Sequence, residues 1–297
     1  MGVGSRQRRV VIVVNPISGR RNLDRLVQDV CVQLRARGVE ADVHRTTGPG
    51  EATRIAQGVE ADARAMLVVG GDGTVREVVE GLINRAVPLV IVPAGTENLV
   101  ARHFGMSAVP GRIVETVLRG AVARCDVGLI NGRHFLIMVG VGFDAAVVAE
   151  MTRARAGHIG HLDWAGPIWR AFRRYGFPRI RVEVDGEQVF DDRGLLFAGV
   201  LPCYGGGLQI LRGAVPDDGL LDVCILRCSS RLALLGQVIR LGRGRHVTHP
   251  SCIYLRCKNL CTTSPEPVLV QADGDPMGSL PVSLSVLPQA ATFLVPE

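Results

Sequence analysis

Apolar residues in the first part of the chain come in short blocks that switch between two periods. Residues 10–14 read Val10-Val11-Ile12-Val13-Val14, an unbroken apolar run that stops at Asn15-Pro16. A run of that length without polar alternation predicts a strand buried on both faces. Over 23–37 the apolar positions are Leu23, Leu26, Val27, Val30 and Leu34, the spacing of one helix face, and Gly38 supplies a C-terminal stop. A strand at 39–45, a helix at 51–58, a strand at 65–69, a helix at 74–84 and a strand at 88–92 follow. This order predicts an α/β domain over residues 1–125, with a mainly parallel sheet covered by helices on both faces. From Cys125 the texture changes to short alternating runs at 127–130, 134–139, 179–184, 195–201, 221–226, 253–257, 268–272 and 282–287. Turn residues separate them, and helical stretches interrupt near 160–175 and 232–241. That pattern predicts an antiparallel β-sandwich or barrel-like domain over 126–297. Whether the last residues return to the first domain is left open.

Ligands of parallel sheets lie outside the carboxyl ends of the strands. Three loops fall at such ends: Asn15-Pro16-Ile17-Ser18-Gly19, Gly70-Gly71-Asp72-Gly73-Thr74-Val75-Arg76-Glu77 and Pro93-Ala94-Gly95-Thr96. Glycines let backbone N–H groups approach an anion, and the helix that opens after Gly71 adds unpaired N–H groups and a positive dipole end. Asp72 is out of place in an anion site unless a divalent cation accompanies the phosphates, which points to metal-assisted phosphoryl transfer. A glycine turn with Asp72 as N-cap accounts for the same string and stays open.

Composition narrows the partners. The chain has 297 residues, 47% hydrophobic and 21% charged, enough for two cores. Its net charge of +6 is largely arginine, clustered at 6–9, 20–21, 170–181 and 240–245, which would attract nucleotides, nucleic acid or anionic lipid. Only 4% of residues are aromatic, so stacking platforms are few and no nucleic-acid partner is expected. No apolar stretch reaches the ~20 residues that span a bilayer. The basic N-terminus runs into a strand too short for a signal peptide, so a cytoplasmic protein is expected. Eight cysteines, at 31, 125, 203, 224, 228, 252, 257 and 261, lack paired zinc-ribbon spacing and read as buried reduced thiols.

The ordered set of motifs resembles the diacylglycerol kinase catalytic family, which includes soluble bacterial lipid kinases, sphingosine kinases and ceramide kinases. The resemblance rests on Asn15-Pro16-x-Ser18-Gly19, on Gly70-Gly71-Asp72-Gly73-Thr74-x-x-Glu77-Val78-Val79-x-Gly81-Leu82 and on Pro93-Ala94-Gly95-Thr96-x-Asn98. Gly140-Val141-Gly142-Phe143-Asp144, Asp217-Asp218-Gly219-Leu220-Leu221-Asp222 and Asp273-Gly274-Asp275 follow in the family's order, so the match spans about residues 10 to 290. It implies a Rossmann-like nucleotide domain, a β-rich lipid domain and an ATP site in the cleft between them. The ATP contacts it implies are Asn15, Pro16, Ser18, Gly19, Thr46, Gly70, Gly71, Asp72, Gly73, Thr74, Glu77, Gly95, Thr96 and Asn98. Thr47 is a near-equal choice to Thr46. It further implies Mg²⁺ in the acidic turn, held by Asp218 with the carbonyls of Val215 and Leu220 and with Asp217 beside them. The general base is implied at the acidic pair Asp273 and Asp275, with Asp72 as the third catalytic carboxylate. Residue by residue, an ordinary Asp-Gly hairpin accounts equally for Asp273, and an ordinary Asp-Gly turn for 217–218.

Three positions depart from the family. Leu99 replaces an Asp common in bacterial members, Asp275 replaces Glu, and Glu80 replaces Asn. The expected activity is ATP- and Mg²⁺-dependent phosphorylation of a membrane lipid, first diacylglycerol to phosphatidic acid, then a sphingoid base or ceramide. An enzyme similar to NAD kinases shares the GGDG loop, but a Thr-Pro-Thr-Gly-Ser-Thr stretch is missing. A non-catalytic nucleotide- or lipid-binding protein is the alternative from another class. Residues 161–175 mix Trp164 and Trp169 with Arg170, Arg173 and Arg174. They read either as a membrane-touching segment on anionic lipid or as a helix that packs Leu162, Ile168 and Phe172 inward. The expected setting is peripheral to the inner face of the membrane, with homodimer formation left open.

Overall fold

Residues 9–19, 22–154 and 161–297 are described by the computed structural model. Arg6, Arg8, Arg20 and Arg21, and the side chains of His161 and Leu162, lie outside the described residues. The chain divides into two units, Met1–Cys125 with Gln289–Glu297, and Asp126–Pro288.

In chain order the first unit carries β1 (Arg9–Val14), α1 (Leu23–Arg35), β2 (Glu40–Arg45), α2 (Glu51–Gln57), β3 (Ala65–Gly70), α3 (Asp72–Leu82), β4 (Leu89–Pro93), α4 (Leu99–His103) and α5 (Pro110–Arg119). Across the boundary run β5 (Ala121–Ile130) and then, in the second unit, β6 (Arg133–Phe135), β7 (Met138–Val141), α6 (Phe143–Ala154), α7 (Ala165–Arg174), β8 (Arg179–Val184) and β9 (Glu187–Gly199). After these come β10 (Leu221–Arg227), α8 (Arg231–Gly242), β11 (Cys252–Cys257), β12 (Asn259–Thr263), β13 (Leu269–Ala272), β14 (Asp275–Ser279) and β15 (Val282–Val295).

The first unit's sheet runs β2-β1-β3-β4, all parallel, and the end of β15 adds a parallel neighbour where Phe293 faces Leu89. Every residue of β3 is buried, as the unbroken apolar run required. On one face Val10, Ile12 and Val14 pack with Leu23, Val27, Val30 and Leu34 of α1 and with Ile113, Val114 and Val117 of α5. Helix α5 opens with Pro110 at its first turn and ends before Gly120. Neither α4 nor α5 was expected from the sequence.

The second unit is an antiparallel β-sandwich. One ladder runs β14-β13-β7-β9-β8-β12-β15, and β10 joins β9 to β11. Strand β9 makes the corner: residues up to Arg193 pair with β8, and from Gly194 onward the strand pairs with β10, joined from Leu196 by β7. Helix α6 stands where the sequence showed only the glycine-rich landmark. Its buried face carries Ala145, Val147, Val148 and Met151. The sequence placed strands at 127–130 and 282–287, whereas β5 and β15 are longer. Their added segments include exposed positions that break the alternation. All eight cysteines are free thiols, with Cys125, Cys224, Cys228 and Cys257 buried.

Candidate active site

In the first unit, side-chain and backbone contacts join the three glycine-bearing loops into one rim. Asn15 follows β1 directly. Its Nδ2 donates to Thr74 Oγ1 (2.9 Å), and its Oδ1 accepts from Ile17 N (3.2 Å). The first loop is thereby tied to the start of α3. The second and third loops touch backbone to backbone: a Cβ on Gly95 would lie 2.7 Å from Gly71 Cα, so only glycine permits this approach. Asn98 is in the left-handed conformation (φ 50°). It clasps Gly95 on both sides, accepting from its N–H (2.8 Å) and donating to its carbonyl (2.7 Å).

Asp72 completes the rim, and in a way the sequence did not suggest. It is the first residue of α3, not its N-cap, which is Gly71. Its carboxylate accepts from Leu99 N (3.0 Å) and Val100 N (3.1 Å), so it caps the short helix α4. Burial outweighs those two donors and pushes the Asp72 carboxyl above its ordinary range. The Leu99 side chain is buried. The loss of an Asp there removes a polar group, but the backbone N–H still holds Asp72. Glu80 is exposed. Gly70 is buried, with Thr74 so close that a Cβ would meet it at 2.8 Å. Pro16, Gly19, Gly73 and Thr96 are exposed, while Ser18 and Glu77 are half-buried.

The two threonine candidates separate. Thr46 is buried, with its N–H on Val14 O (2.9 Å), at the end of the strand pair β1–β2. Thr47 is exposed and gives both its N–H and its hydroxyl to the Glu51 carboxylate, which holds Glu51's carboxyl below its usual range. Thr47 therefore belongs to the turn that starts α2.

In the second unit the acidic pair sits on the β13–β14 hairpin. Asp273 (φ 49°) and Gly274 (φ 85°) form its two-residue loop, the mirror-image turn that Asp-Gly favours. The Asp273 carboxylate accepts three amides, Leu136 N (2.7 Å), Ile137 N (2.9 Å) and Met138 N (3.1 Å). A carboxylate whose two oxygens accept backbone donors anchors the hairpin to the start of β7. Asp275 is the exposed first residue of β14.

Two carboxylates near these turns carried no role in the sequence reading. Asp126, fully buried in β5, accepts from Gly219 N (2.7 Å), while its own N–H reaches Pro216 O, so it organises the acidic turn from beneath. The signal was a lone Asp inside an apolar strand. Asp144, at the start of α6, accepts from Tyr204 OH and from Gln271 Nε2 (2.7 Å), and Gln271 Oε1 accepts from Gly274 N (2.8 Å). A polar chain thus leads from Asp144 to the hairpin loop. Gly140 makes room for it, since a Cβ there would sit 2.0 Å from Asp144 Oδ2.

Burial pushes the Asp144 carboxyl up to about 6. Its unfolded value is ~3.9, so between the two the folded state binds the extra proton. The stability that this carboxyl contributes is full below pH ~4 and is lost as pH rises through about 6. The expected loss is roughly 3 kcal/mol, absent in Asp144→Asn. Urea denaturation across that pH range checks it, and a flat profile in the parent protein would contradict the assignment.

In the acidic turn Asp218 has two protein partners. Asp218 Oδ1 accepts from Leu220 N in its own turn (3.0 Å), and Asp218 Oδ2 faces Arg256 Nη1 at 3.5 Å. Arg256 also donates to Gly213 O (2.9 Å) and lies 3.4 Å from the buried Asp222, which Tyr254 OH holds on the same oxygen (2.7 Å). A guanidinium therefore stands beside the carboxylate that the resemblance implies for Mg²⁺. Among the described residues no group of three or more His, Cys, Asp or Glu is placed to hold a metal. Without nucleotide, Mg²⁺ and EDTA should give the same thermal midpoint, and Arg256→Gln should cost about 1 kcal/mol. A midpoint raised by Mg²⁺ alone would show that the turn takes the ion after all.

A parallel-sheet rim of glycine loops in one unit and an antiparallel sandwich in the other define the fold class, and the comparisons with known proteins identify the family. Residues 9–130 match the diacylglycerol kinase catalytic domain, and residues 137–295 match the YegS C-terminal NAD kinase beta sandwich-like domain. A diacylglycerol kinase of Mycobacterium tuberculosis is 31% identical over 97% of this chain and 96% of its own. One of Staphylococcus carnosus is 28% identical over 98% and 96%. A solved structure from Bacillus anthracis superposes with a TM-score of 0.78 at 23% identity, covering 97% of both chains, and so shares the fold. The chain belongs to the diacylglycerol kinase catalytic family, and it is a lipid kinase.

Proposed function

We propose that this kinase transfers the γ-phosphate of ATP, bound as its Mg²⁺ complex, to the free hydroxyl of diacylglycerol to give phosphatidic acid. The observation that carries the ATP assignment is the joined rim: Asn15 to Thr74, Gly71 to Gly95, and Asp72 to Leu99 and Val100. It gathers backbone N–H groups at the start of α3, where a phosphate chain is best stabilised. Mg²⁺ enters as counter-ion of the triphosphate and part of the co-substrate. Diacylglycerol is chosen because relatives spanning nearly the whole chain carry that name.

In the step itself the lipid hydroxyl gives its proton to a carboxylate as its oxygen forms the new bond to the γ-phosphorus. The bond from that phosphorus to the β–γ bridging oxygen breaks, and ADP leaves. Asp275 is the carboxylate assigned to the proton, since Asp273 is held by three amides. The substrate is a lipid, so the enzyme works peripherally at a membrane surface. Among the described residues no helix is long and apolar enough to cross one.

The test is transfer of labelled γ-phosphate from ATP in mixed micelles with Mg²⁺, offering diacylglycerol, sphingosine, ceramide and a total lipid extract side by side. Labelled phosphatidic acid is expected. Label on sphingosine or ceramide alone would overturn the acceptor. ATP protection from unfolding without labelled lipid would favour a binding protein.

A further inference from the structure

Helix α8 turns its apolar side outward. Its inner face carries Leu234 and the buried Gln237, whose amide donates to Arg227 O and Ser251 Oγ, both at 2.9 Å. On the outer face Leu232, Leu235, Val238 and Ile239 are 82, 50, 50 and 44% exposed. These positions follow i, i+3, i+6 and i+7, so they form one stripe along the helix. A helix that faces only water carries the opposite arrangement.

A second exposed apolar element adjoins this stripe. The Arg231 guanidinium at the start of α8 donates to the carbonyls of Phe172 (3.3 Å) and Arg173 (2.8 Å), which docks α8 on the end of α7. Helix α7 buries only Pro167 and Ala171, and leaves Ile168 and Trp169 45 and 59% exposed. The Trp169 ring stacks on Phe172 with centroids 6.0 Å apart. So the inward packing of Ile168 considered from the sequence does not occur.

Charge on the two helices themselves is of one sign. Residues 231–245 hold four arginines and no acidic residue, and Ala165–Arg174 holds three arginines and none. Glu150 matches Arg170 and Arg174, but among the described residues no carboxylate pairs with Arg173, Arg231, Arg240, Arg243 or Arg245.

We infer that α7 and α8 together form a docking face for an anionic phospholipid surface. The aliphatic stripe and Trp169 enter the interfacial layer, and the arginines lie against lipid phosphates. A second copy of the chain fits worse, because a two-fold contact would set the same arginines against each other. The inference deepens the lipid-kinase reading and rests on it for its purpose, but its test does not need turnover.

The test is co-sedimentation of the full chain with vesicles of phosphatidylcholine, with or without phosphatidylglycerol. Two variants accompany the parent: Leu232→Gln with Leu235→Gln and Val238→Gln, and Arg240→Gln with Arg243→Gln and Arg245→Gln. The parent should partition onto phosphatidylglycerol vesicles, and each variant should lose that partitioning by on the order of tenfold. Neither should change protection from unfolding by ATP, nor phosphorylation of a short-chain diacylglycerol offered as monomer. Unchanged partitioning in both variants would overturn the docking face, as would a parent that ignores phosphatidylglycerol. So would a parent dimer that the aliphatic variant dissociates while vesicle binding persists. Vesicle binding that follows the expected pattern in a protein that phosphorylates no lipid would support the docking face and remove the acceptor assignment instead.

Discussion

Asp275→Asn is expected to lower kcat by roughly 10²–10⁴-fold, the range for loss of a general base, with the fold intact. The same change at Asp273 is expected to act first on stability. Asp275 opens β14 opposite Ala272 and is exposed, so a neutral isostere leaves the hairpin's register alone. Asp273 instead receives Leu136 N on one oxygen and Ile137 N and Met138 N on the other. An amide in its place keeps one acceptor and turns an –NH₂ against a backbone N–H. An unsatisfied pair of that kind costs about 2 kcal/mol. Denaturant midpoints and kcat on diacylglycerol micelles for both variants decide the matter. If Asp273→Asn kept the parent's stability and lost turnover while Asp275→Asn stayed active, the two roles would be reversed.

Much of this arrangement was legible in the sequence. Unbroken apolar runs at 10–14 and 65–69 can only be strands covered on both faces, and they gave the parallel sheet and its carboxyl-end rim. The alternating runs after Cys125 gave the sandwich. What stayed hidden was contact between segments far apart in the chain. Asn15 reaches Thr74 and Asp144 reaches Gln271 across separations of 59 and 127 residues. No local pattern encodes such pairs. Asp273 shows the limit most plainly. Its Asp-Gly string was read both as a base and as a turn, and the three amides of residues 136–138 that it accepts lie far from it in the chain. Helix α8 was visible as a helix near 232–241, but its apolar periodicity could not say that Leu234 and Gln237 face inward and Leu232 and Leu235 face water.

Asp72→Asn carries the second large effect, and its reason lies in the rim's construction. The carboxylate accepts the N–H groups of Leu99 and Val100 at the start of α4, one on each of its oxygens, and thereby locks the glycine loop of α3 to the loop after β4. An amide can satisfy only one of them. The lost cap costs ~1–2 kcal/mol locally, and the contact between Gly71 and Gly95 loosens with it. Because phosphoryl transfer depends on alignment, a displacement of about 1 Å in that loop is worth about 10²-fold in rate. Turnover should therefore fall by two orders of magnitude or more, and protection from unfolding by ATP should weaken. A titration with Mg²⁺ at saturating ATP separates this positioning role from a metal-binding one. If Asp72 acts through α4, the variant's residual activity keeps the parent's Mg²⁺ midpoint. A midpoint moved to much higher Mg²⁺ would mean that the carboxylate meets the ion that travels with the triphosphate.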